Sequence, residues 1–210
     1  MKIKRFALGP LWTNCYVVCD SAGNGVIIDP SAPADEVENY VCDKDLHIAW
    51  ILLTHAHCDH IGGIPELINL SDNGVAVHYK DTALLTNASK NLSNSILHSP
   101  IALSAPDREL SDGDILNAGA LEIKTIFTPG HTPGGCCYLI TEGDEQVLVS
   151  GDTLFARSIG RSDLPGGDER LLLESLKKLT GFDDKLKILP GHGPETNIGD
   201  EREHNPYWPA

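Results

Sequence analysis

The segment that most constrains this chain is THAHCDH at residues 54–60, which directly follows the apolar run IAWILL at residues 48–53. A continuous apolar run of this length is typical of a strand buried on both faces, and functional side chains collect where such strands end. In an extended segment His55 and His57 point the same way. If the chain then turns into a helix, Asp59 and His60 diverge toward a neighbouring point. The spacing therefore predicts two adjacent metal sites rather than a polar surface loop.

Three more candidate ligands occupy the same setting further along the chain. His131, Asp152 and His192 each follow a predicted strand, and each is flanked by glycine. Glycine permits close approach of the backbone and unusual dihedral angles. One such residue alone is more often part of an ordinary turn, but three of them beside the first motif predict a shared site.

The other histidines and the cysteines lack this setting. His47 and His78 are expected to pack in the core or lie at the surface, and His98 is a loop residue that could approach the substrate. Alternation turns Cys58 away from its metal-binding neighbours. None of the 6 cysteines forms a C-x-x-C pair, which favours free thiols over a disulfide framework.

Strand-like runs alternate with helical stretches along the chain. Strands are predicted at residues 15–19, 25–29, 48–53, 75–79, 115–117, 121–127, 136–140, 146–150 and 187–189. Helices are predicted at residues 34–43, 61–70, 80–89 and 168–179, with a loop over the site at residues 93–106. This order predicts an α/β fold in which two sheets pack on each other with helices outside. We expect one domain spanning residues 1–210.

Charge and hydropathy restrict the partners and the cellular location that are expected for this chain. The formal net charge of −14 repels phosphate backbones, so a nucleic-acid partner is disfavoured. The apolar runs have the length of strands, so no membrane-spanning segment is expected. The basic start at residues 1–6 is followed by Gly9, Pro10, Thr13 and Asn14, which leaves no apolar core for a signal peptide and predicts a cytoplasmic protein. The sequence leaves the oligomeric state open.

The motif H-x-H-x-D-H at residues 55–60, followed by His131, Asp152 and His192, resembles the metallo-β-lactamase superfamily in order and context. Within it, SGDTLF at residues 150–155, GRSD at 160–163 and PGHGP at 190–194 are most similar to short members of the glyoxalase II (hydroxyacylglutathione hydrolase) group. The resemblance implies a four-layer αββα sandwich.

The resemblance also implies a role for each ligand in a site for two divalent metal ions. One metal would be held by His55, His57 and His131, and the other by Asp59, His60 and His192, with Asp152 bridging both. A set of imidazoles and carboxylates without thiolate suits Zn²⁺ first, with Fe or Mn as alternatives. Asp59 and Asp152 would be the catalytic carboxylates. Since β-lactamases of this fold lack a bridging aspartate at this position, Asp152 argues against antibiotic hydrolysis.

The chain also departs from the full glyoxalase II pattern. Only about eighteen residues follow His192, so the C-terminal helical domain that binds glutathione in that group is expected to be missing. Pro194 stands where the group has a tyrosine. Arg161 takes the position of a lysine that contacts glutathione and is predicted to bind the substrate, with Arg157 as a further cation; a structural pairing of Arg161 with Asp163 or Asp168 is the alternative.

The expected function is hydrolysis of a small anionic thioester, in which a metal-activated water attacks the carbonyl carbon. A persulfide dioxygenase of the same fold, with one iron on His55, His131 and Asp152, is an alternative. A lactonase or another small-ester hydrolase would share all the ligands. A nuclease is disfavoured by the charge, and a purely structural metal module is disfavoured because such sites normally close with four ligands.

Overall fold

The protein is described from a computed structural model that covers residues 1–209. The strands are β1 (Lys2–Leu8), β2 (Thr13–Cys19), β3 (Asn24–Ile28), β4 (His47–Leu53), β5 (Val75–His78), β6 (Arg108–Leu110), β7 (Ile115–Ala118), β8 (Leu121–Phe127), β9 (Cys136–Glu142), β10 (Glu145–Gly151), β11 (Leu154–Phe155), β12 (Ser158–Ile159), β13 (Lys187–Pro190) and β14 (Thr196–Asn197). The α-helices are α1 (Asp35–Asp43), α2 (Cys58–Ile61), α3 (Ile64–Leu67), α4 (Thr82–Leu85), α5 (Ser93–Ile96), α6 (Glu169–Lys177) and α7 (Ile198–His204).

The larger strands form two mixed sheets within the described residues. The first has the order β1-β2-β3-β4-β5-β6 and the second the order β14-β13-β10-β9-β8-β7. Strand β2 pairs with β3 in antiparallel register, whereas β3 to β6 run parallel to one another. In the second sheet β13 lies parallel to β10. Each sheet therefore has parallel strands whose carboxyl ends share one edge.

Three apolar clusters account for the layering. One lies between the sheets and joins Val26 and Leu52 of the first sheet to Ile123 and Val149 of the second. Another packs α1 and α3 on the outer face of the first sheet, and the third packs α6 and α7 on the outer face of the second. This is the expected four-layer αββα arrangement, and the predicted fold is confirmed.

The structure corrects several predicted boundaries. The expected helix at 61–70 is broken into α2, α3 and a short 3₁₀ turn at Ile68–Leu70. Gly62 and Gly63 weaken the helix there, and Pro65 removes a backbone donor and clashes with the preceding turn. The expected helix at 80–89 shrinks to one turn, α4, because the Asn87 side chain accepts the backbone N–H groups of Ser89 and Lys90 and turns the chain. Strands β1, β6, β11, β12 and β14 and helix α7 were not predicted, and helix α5 begins the segment 93–106 that was expected to be a loop.

Backbone hydrogen bonds fasten the loops at the shared edge to one another. Cys136 N–H donates to the Thr54 carbonyl (2.9 Å), which joins the end of β4 to the start of β9 across the two sheets. Gly191 N–H donates to the Gly151 carbonyl (2.9 Å), and Asn14 N–H donates to the Gly191 carbonyl (2.7 Å). The loops that carry the predicted ligands are thereby held in contact. Throughout residues 1–209, every helix is too short or too polar to traverse a lipid bilayer.

Candidate metal centre

All of the predicted ligands meet at this edge of the two sheets. Their ligand atoms form overlapping groups in which the members lie within 4.8 Å of one another: His55, His57 and His131; His55, His60 and Asp152; Asp59, His60 and His192. The side chains come from the loops after β4, β8, β10 and β13. The structure thus brings together residues that are up to 137 positions apart, His55 and His192.

Local geometry explains how one short motif serves two groups. His57 has extended backbone (ψ 153°) and stands immediately before α2, so His55 and His57 project from extended chain whereas Asp59 and His60 project from a helix. His57 Nδ1 lies 2.9 Å from His131 Nε2, and the rings of His55 and His131 meet edge to face with centroids 4.7 Å apart. The first group is therefore a set of imidazoles with converging nitrogens.

Burial keeps His55 and His57 of this first group neutral. It lowers the pKa of His57 to about 3 and the pKa of His55 well below its ordinary value, with the neighbouring imidazoles adding to the shift. The Nε2 atoms of both side chains are buried without a hydrogen-bond partner. Neutral imidazoles whose lone pairs lack a donor are in the state that metal coordination requires.

The second group is richer in negative charge. Asp59 Oδ2 lies 3.4 Å from His60 Nε2 and 3.3 Å from His192 Nε2, and it accepts a hydrogen bond from Thr13 Oγ1 at 2.8 Å. Burial alone would lower the pKa of His60, but the carboxylates around it outweigh burial and raise that pKa to about 10. The group therefore favours a positive charge at its centre, which a divalent cation would supply.

Asp152 stands between the two groups. Its Oδ2 lies 3.4 Å from His131 Nε2 and 3.6 Å from His192 Nε2, and its Oδ1 lies 3.5 Å from His60 Nε2. Oδ1 is buried and lacks a hydrogen-bond partner. The carboxylate thus faces ligands of both groups, as a bridging ligand must.

Two glycines make this position of Asp152 possible. Gly151 has a positive φ (49°), and a Cβ there would lie 2.3 Å from Thr54 Oγ1. A Cβ on Gly191 would lie 2.2 Å from Asp152 Oδ1. Any side chain at either residue would therefore push the aspartate or the end of β4 out of the site.

Two buried aspartates, which the sequence interpretation overlooked, hold the ligand loops. Asp29 lies with its Oδ2 3.0 Å from His60 Nδ1, and it accepts the backbone N–H (2.8 Å) and hydroxyl (2.6 Å) of Thr54. Asp81 accepts hydrogen bonds from Ala56 in the first motif and from Thr132 and Gly134 in the His131 loop, so it links the two segments. Both aspartates follow a strand of the first sheet, which is the signal that could have identified them. Outer contacts of this kind fix the orientation of metal-binding imidazoles.

Chemically, the site fits divalent metal ions. It offers converging imidazole nitrogens and carboxylate oxygens, several of them buried without a hydrogen-bond partner, and Cys58 contributes no thiolate because burial raises its pKa to about 12. Unpaired buried polar atoms are costly, so their concentration at one point indicates a site that binds a cation. Imidazole with carboxylate suits zinc, iron or manganese, and the donor set does not choose among them.

A cavity of about 380 Å³ opens onto the site and contains Asp59, Asp152 and His192 in its wall. Arg161 also lines it, but the guanidinium donates to both carboxylate oxygens of Asp163 (2.7 and 2.8 Å) and is largely exposed. The Arg161 carbonyl lies 2.6 Å from His131 Nδ1 and so fixes that ring. The structural pairing considered for Arg161 is present, and its part in substrate binding stays a prediction.

The histidines outside the motif lie away from the centre. His78 is buried and stacks on Phe127 at 4.2 Å, and His47 is exposed, as expected. His98 is exposed in its loop, and neither His98 nor Arg157 is among the residues that line the cavity.

Comparison with known proteins identifies the family. Residues 8–192 match the model of the metallo-β-lactamase superfamily. The chain is 36% identical to the probable metallo-hydrolase YqgX of Bacillus subtilis over 99% of this chain and 97% of that protein. It is 32% identical to the hydroxyacylglutathione hydrolase GloC of Haemophilus influenzae over 99% of this chain and 98% of that one.

Solved structures agree. The structure of the BLEG-1 B3 metallo-β-lactamase matches with a TM-score of 0.91 and 38% identity, over 98% of this chain and 99% of that chain. TTHA1623 in a di-iron-bound form matches with a TM-score of 0.83 and 33% identity, over 97% and 99%. ETHE1 from Myxococcus xanthus matches with a TM-score of 0.77 and 27% identity, over 98% and 84%. The chain belongs to the metallo-β-lactamase superfamily.

Proposed function

We propose that this member of the metallo-β-lactamase superfamily is a metal-dependent hydrolase that cleaves a small anionic thioester, as hydroxyacylglutathione hydrolases do. The observation that carries the proposal is the position of Asp152, whose carboxylate lies within 3.6 Å of imidazoles from both ligand groups at the base of the cavity. The similarity to GloC over nearly the whole of both chains supports a thioester substrate.

His55, His57 and His131 would hold one cation and Asp59, His60 and His192 the other, with Asp152 shared. When bound, the cations supply Lewis acidity toward water and toward a carbonyl group. His131 is held for this task by the Arg161 carbonyl, and His60 by Asp29. Asp59 stays ionised at neutral pH, because His60 and His192 outweigh the effect of burial and keep its pKa below the usual range.

The reaction balances without a redox partner. Water adds to the carbonyl carbon, the C–S bond breaks, and the products are a carboxylate, a thiol and a proton. A thiolate leaves without a strong general acid, which suits a cavity whose titratable wall residues are carboxylates and imidazoles. Arg161 lies at the wall and would attract an anionic group of the substrate, at the expense of its pair with Asp163.

The proposal is tested by measuring metal content and thiol release on the same preparation. We expect two metal ions per chain by mass spectrometry and release of thiol from S-lactoylglutathione that chelation abolishes. Asp152→Asn should remove both properties, whereas Asp163→Asn, which alters an exposed carboxylate beside the cavity, should keep the metals. Full metal content and turnover in Asp152→Asn would contradict the proposal.

A second candidate is β-lactam hydrolysis, which the 38% identity to the BLEG-1 metallo-β-lactamase favours, although the expectation drawn from Asp152 stands against it. Hydrolysis of nitrocefin by the metal-loaded protein, compared with hydrolysis of S-lactoylglutathione, distinguishes the two. A one-iron dioxygenase would need only His55, His131 and Asp152. The group of Asp59, His60 and His192 would then bind no metal. Oxygen uptake with glutathione persulfide tests that alternative.

A further inference from the structure

The residues that line the cavity at the metal centre fall into two chemically unlike sets. The ligand wall contains His57, Asp59, Asp152 and His192. The other lining residues among those described, named here the apolar wall, are mostly apolar: Leu11, Leu92, Ile96, Phe155, Ser158, Ile159, Arg161 and Leu164. Any substrate carbonyl held at the ligand wall must therefore place its remaining atoms against aliphatic and aromatic side chains.

The apolar wall offers few hydrogen-bonding groups to a substrate. Within residues 1–209 its polar side chains are Ser158 and Arg161. Ser158 is exposed, and the guanidinium of Arg161 is paired with Asp163 or, on the proposed function, with an anionic group of the thiol carrier, so it is not left for the acyl group. A polar acyl group, such as a 2-hydroxyacyl group, would lose its bonds to water there without gaining replacements.

The mouth of the cavity exposes apolar surface. Leu11 and Ile96 are each 41% exposed, and they approach from separate segments, the turn between β1 and β2 and the helix α5. Leu11 is tied to the metal centre, because its carbonyl lies 3.2 Å from His192 Nδ1. Exposed apolar side chains grouped around a concave site are typical of a ligand-binding wall.

We propose that the substrate carries an apolar acyl group, such as a short alkyl chain or a phenylalkyl group, which packs against Leu11, Ile96 and Phe155 while its carbonyl lies at the ligand wall. This inference rests on the proposed thioesterase function and specifies its substrate. It departs from lactoylglutathione itself, whose acyl group is small and polar.

The test compares S-hexanoylglutathione with S-lactoylglutathione on the metal-loaded protein, so that the thiol carrier is the same. Because a single methylene in an apolar pocket contributes about 10-fold or more to discrimination, we expect kcat/KM at least 10-fold higher for the hexanoyl thioester. Equal rates, or a preference for the lactoyl thioester, would overturn the inference while leaving the proposed function intact. Failure to cleave either thioester would instead count against the proposed function.

A pair of matched variants locates the effect. Ile96→Ser should reduce the hexanoyl-to-lactoyl ratio of kcat/KM, whereas Ile115→Ser, which alters a 50% exposed isoleucine on β7 outside the cavity wall, should leave the ratio unchanged. An unchanged ratio in Ile96→Ser would contradict the assignment of this wall.

A binding measurement tests the apolar wall without turnover. Calorimetric titration with the product acids should give hexanoate a lower Kd than lactate, with a negative heat-capacity change because apolar surface is buried. Ile96→Ser should weaken the binding of hexanoate and leave lactate unaffected. Lactate binding as tight as hexanoate would overturn the inference even if no thioester is cleaved.

Discussion

Asp81 joins the two halves of the first ligand group, and its removal should destabilise both the fold and metal binding. The side chain is fully buried. It accepts the backbone N–H of Ala56 (3.1 Å), which lies between His55 and His57. It also accepts hydrogen bonds from the Thr132 hydroxyl (2.8 Å) and the Gly134 N–H (2.6 Å), both of which follow His131 in its loop.

The magnitude follows from the donors left behind. Asp81→Ala deprives three buried donors of their acceptor, and each unsatisfied donor costs about 1–3 kcal/mol. Loss of the carboxylate also relieves its own desolvation, which is the burial that raises the pKa of Asp81 above its usual range. We therefore expect the lower end of the sum, a loss of roughly 3 kcal/mol in the free energy of unfolding. Asp81→Asn keeps one oxygen and should lose less.

The assay is urea unfolding of chelated and metal-loaded protein, with Asp72→Ala as the control because Asp72 is exposed. In the chelated protein Asp81→Ala should lose about 3 kcal/mol, and Asp72→Ala should lie within about 0.5 kcal/mol of the parent. In the metal-loaded protein the loss should grow, since a weaker site gives less stabilisation by metal binding. A loss equal to that of Asp72→Ala in both states would refute the idea that Asp81 fastens the two loops together.

Three further outcomes are expected. Burial, assisted by Lys80, lowers the pKa of His78 to about 4, so the native state binds fewer protons than the unfolded chain and loses stability as the pH falls from about 6.5 to 4. His78→Phe, which can keep the stack on Phe127, should reduce that loss by on the order of 2 kcal/mol in urea titrations at several pH values, and an identical pH profile would contradict this. Asp152→Ala should remove metal binding and activity together, measured by metal content and thiol release; two retained metals would refute its shared role. Arg161→Ala should raise KM for an anionic thioester more than it lowers kcat, and an unchanged KM for each thioester tried would show that its pair with Asp163 is purely structural.

Much of the ligand set could be predicted because each ligand follows a strand. A buried strand is recognisable as an apolar run, and its end brings the next polar side chain to the edge of the sheet. The convergence of His131, Asp152 and His192 on the first motif follows from the shared edge of two packed sheets. The layered fold was predictable for the same reason, since strand runs and amphipathic stretches alternate along the chain.

Strands and helices that lack a clear apolar run or amphipathic pattern were not predicted. Strand β1 lies at the edge of its sheet with much of its length exposed, so Lys2, Lys4 and Arg5 conceal the alternation that would have identified it. Helix α7 is short and follows a two-residue strand, although Asn197 caps it through its side chain and acidic residues stand in the first turn. That cap was a readable signal that the interpretation did not use.

The buried aspartates Asp29 and Asp81 are harder to identify from the sequence than the ligands are. Asp29 and Asp81 follow strands, as the ligands do, yet their partners are backbone N–H groups and hydroxyls of other loops and, for Asp29, the outer ring nitrogen of His60. An aspartate after a strand therefore indicates a place at the edge, but only the contacts decide whether it faces a metal or a loop. The distinction depends on a difference of a few ångströms that spacing does not encode.

The residues proposed to select the substrate are harder still to identify from the sequence pattern. The apolar wall draws Leu11 from a turn, Ile96 from a one-turn helix and Phe155 from a two-residue strand. These segments have too few residues to show a period, so no pattern assigns their side chains to a common surface. Because the ligands are anchored to long buried strands and the wall is built from short connections, the wall can change while the metal centre is retained. Members of one superfamily can therefore share a ligand set and differ in substrate, and in this chain the wall rather than the metals should decide which acyl group is cleaved.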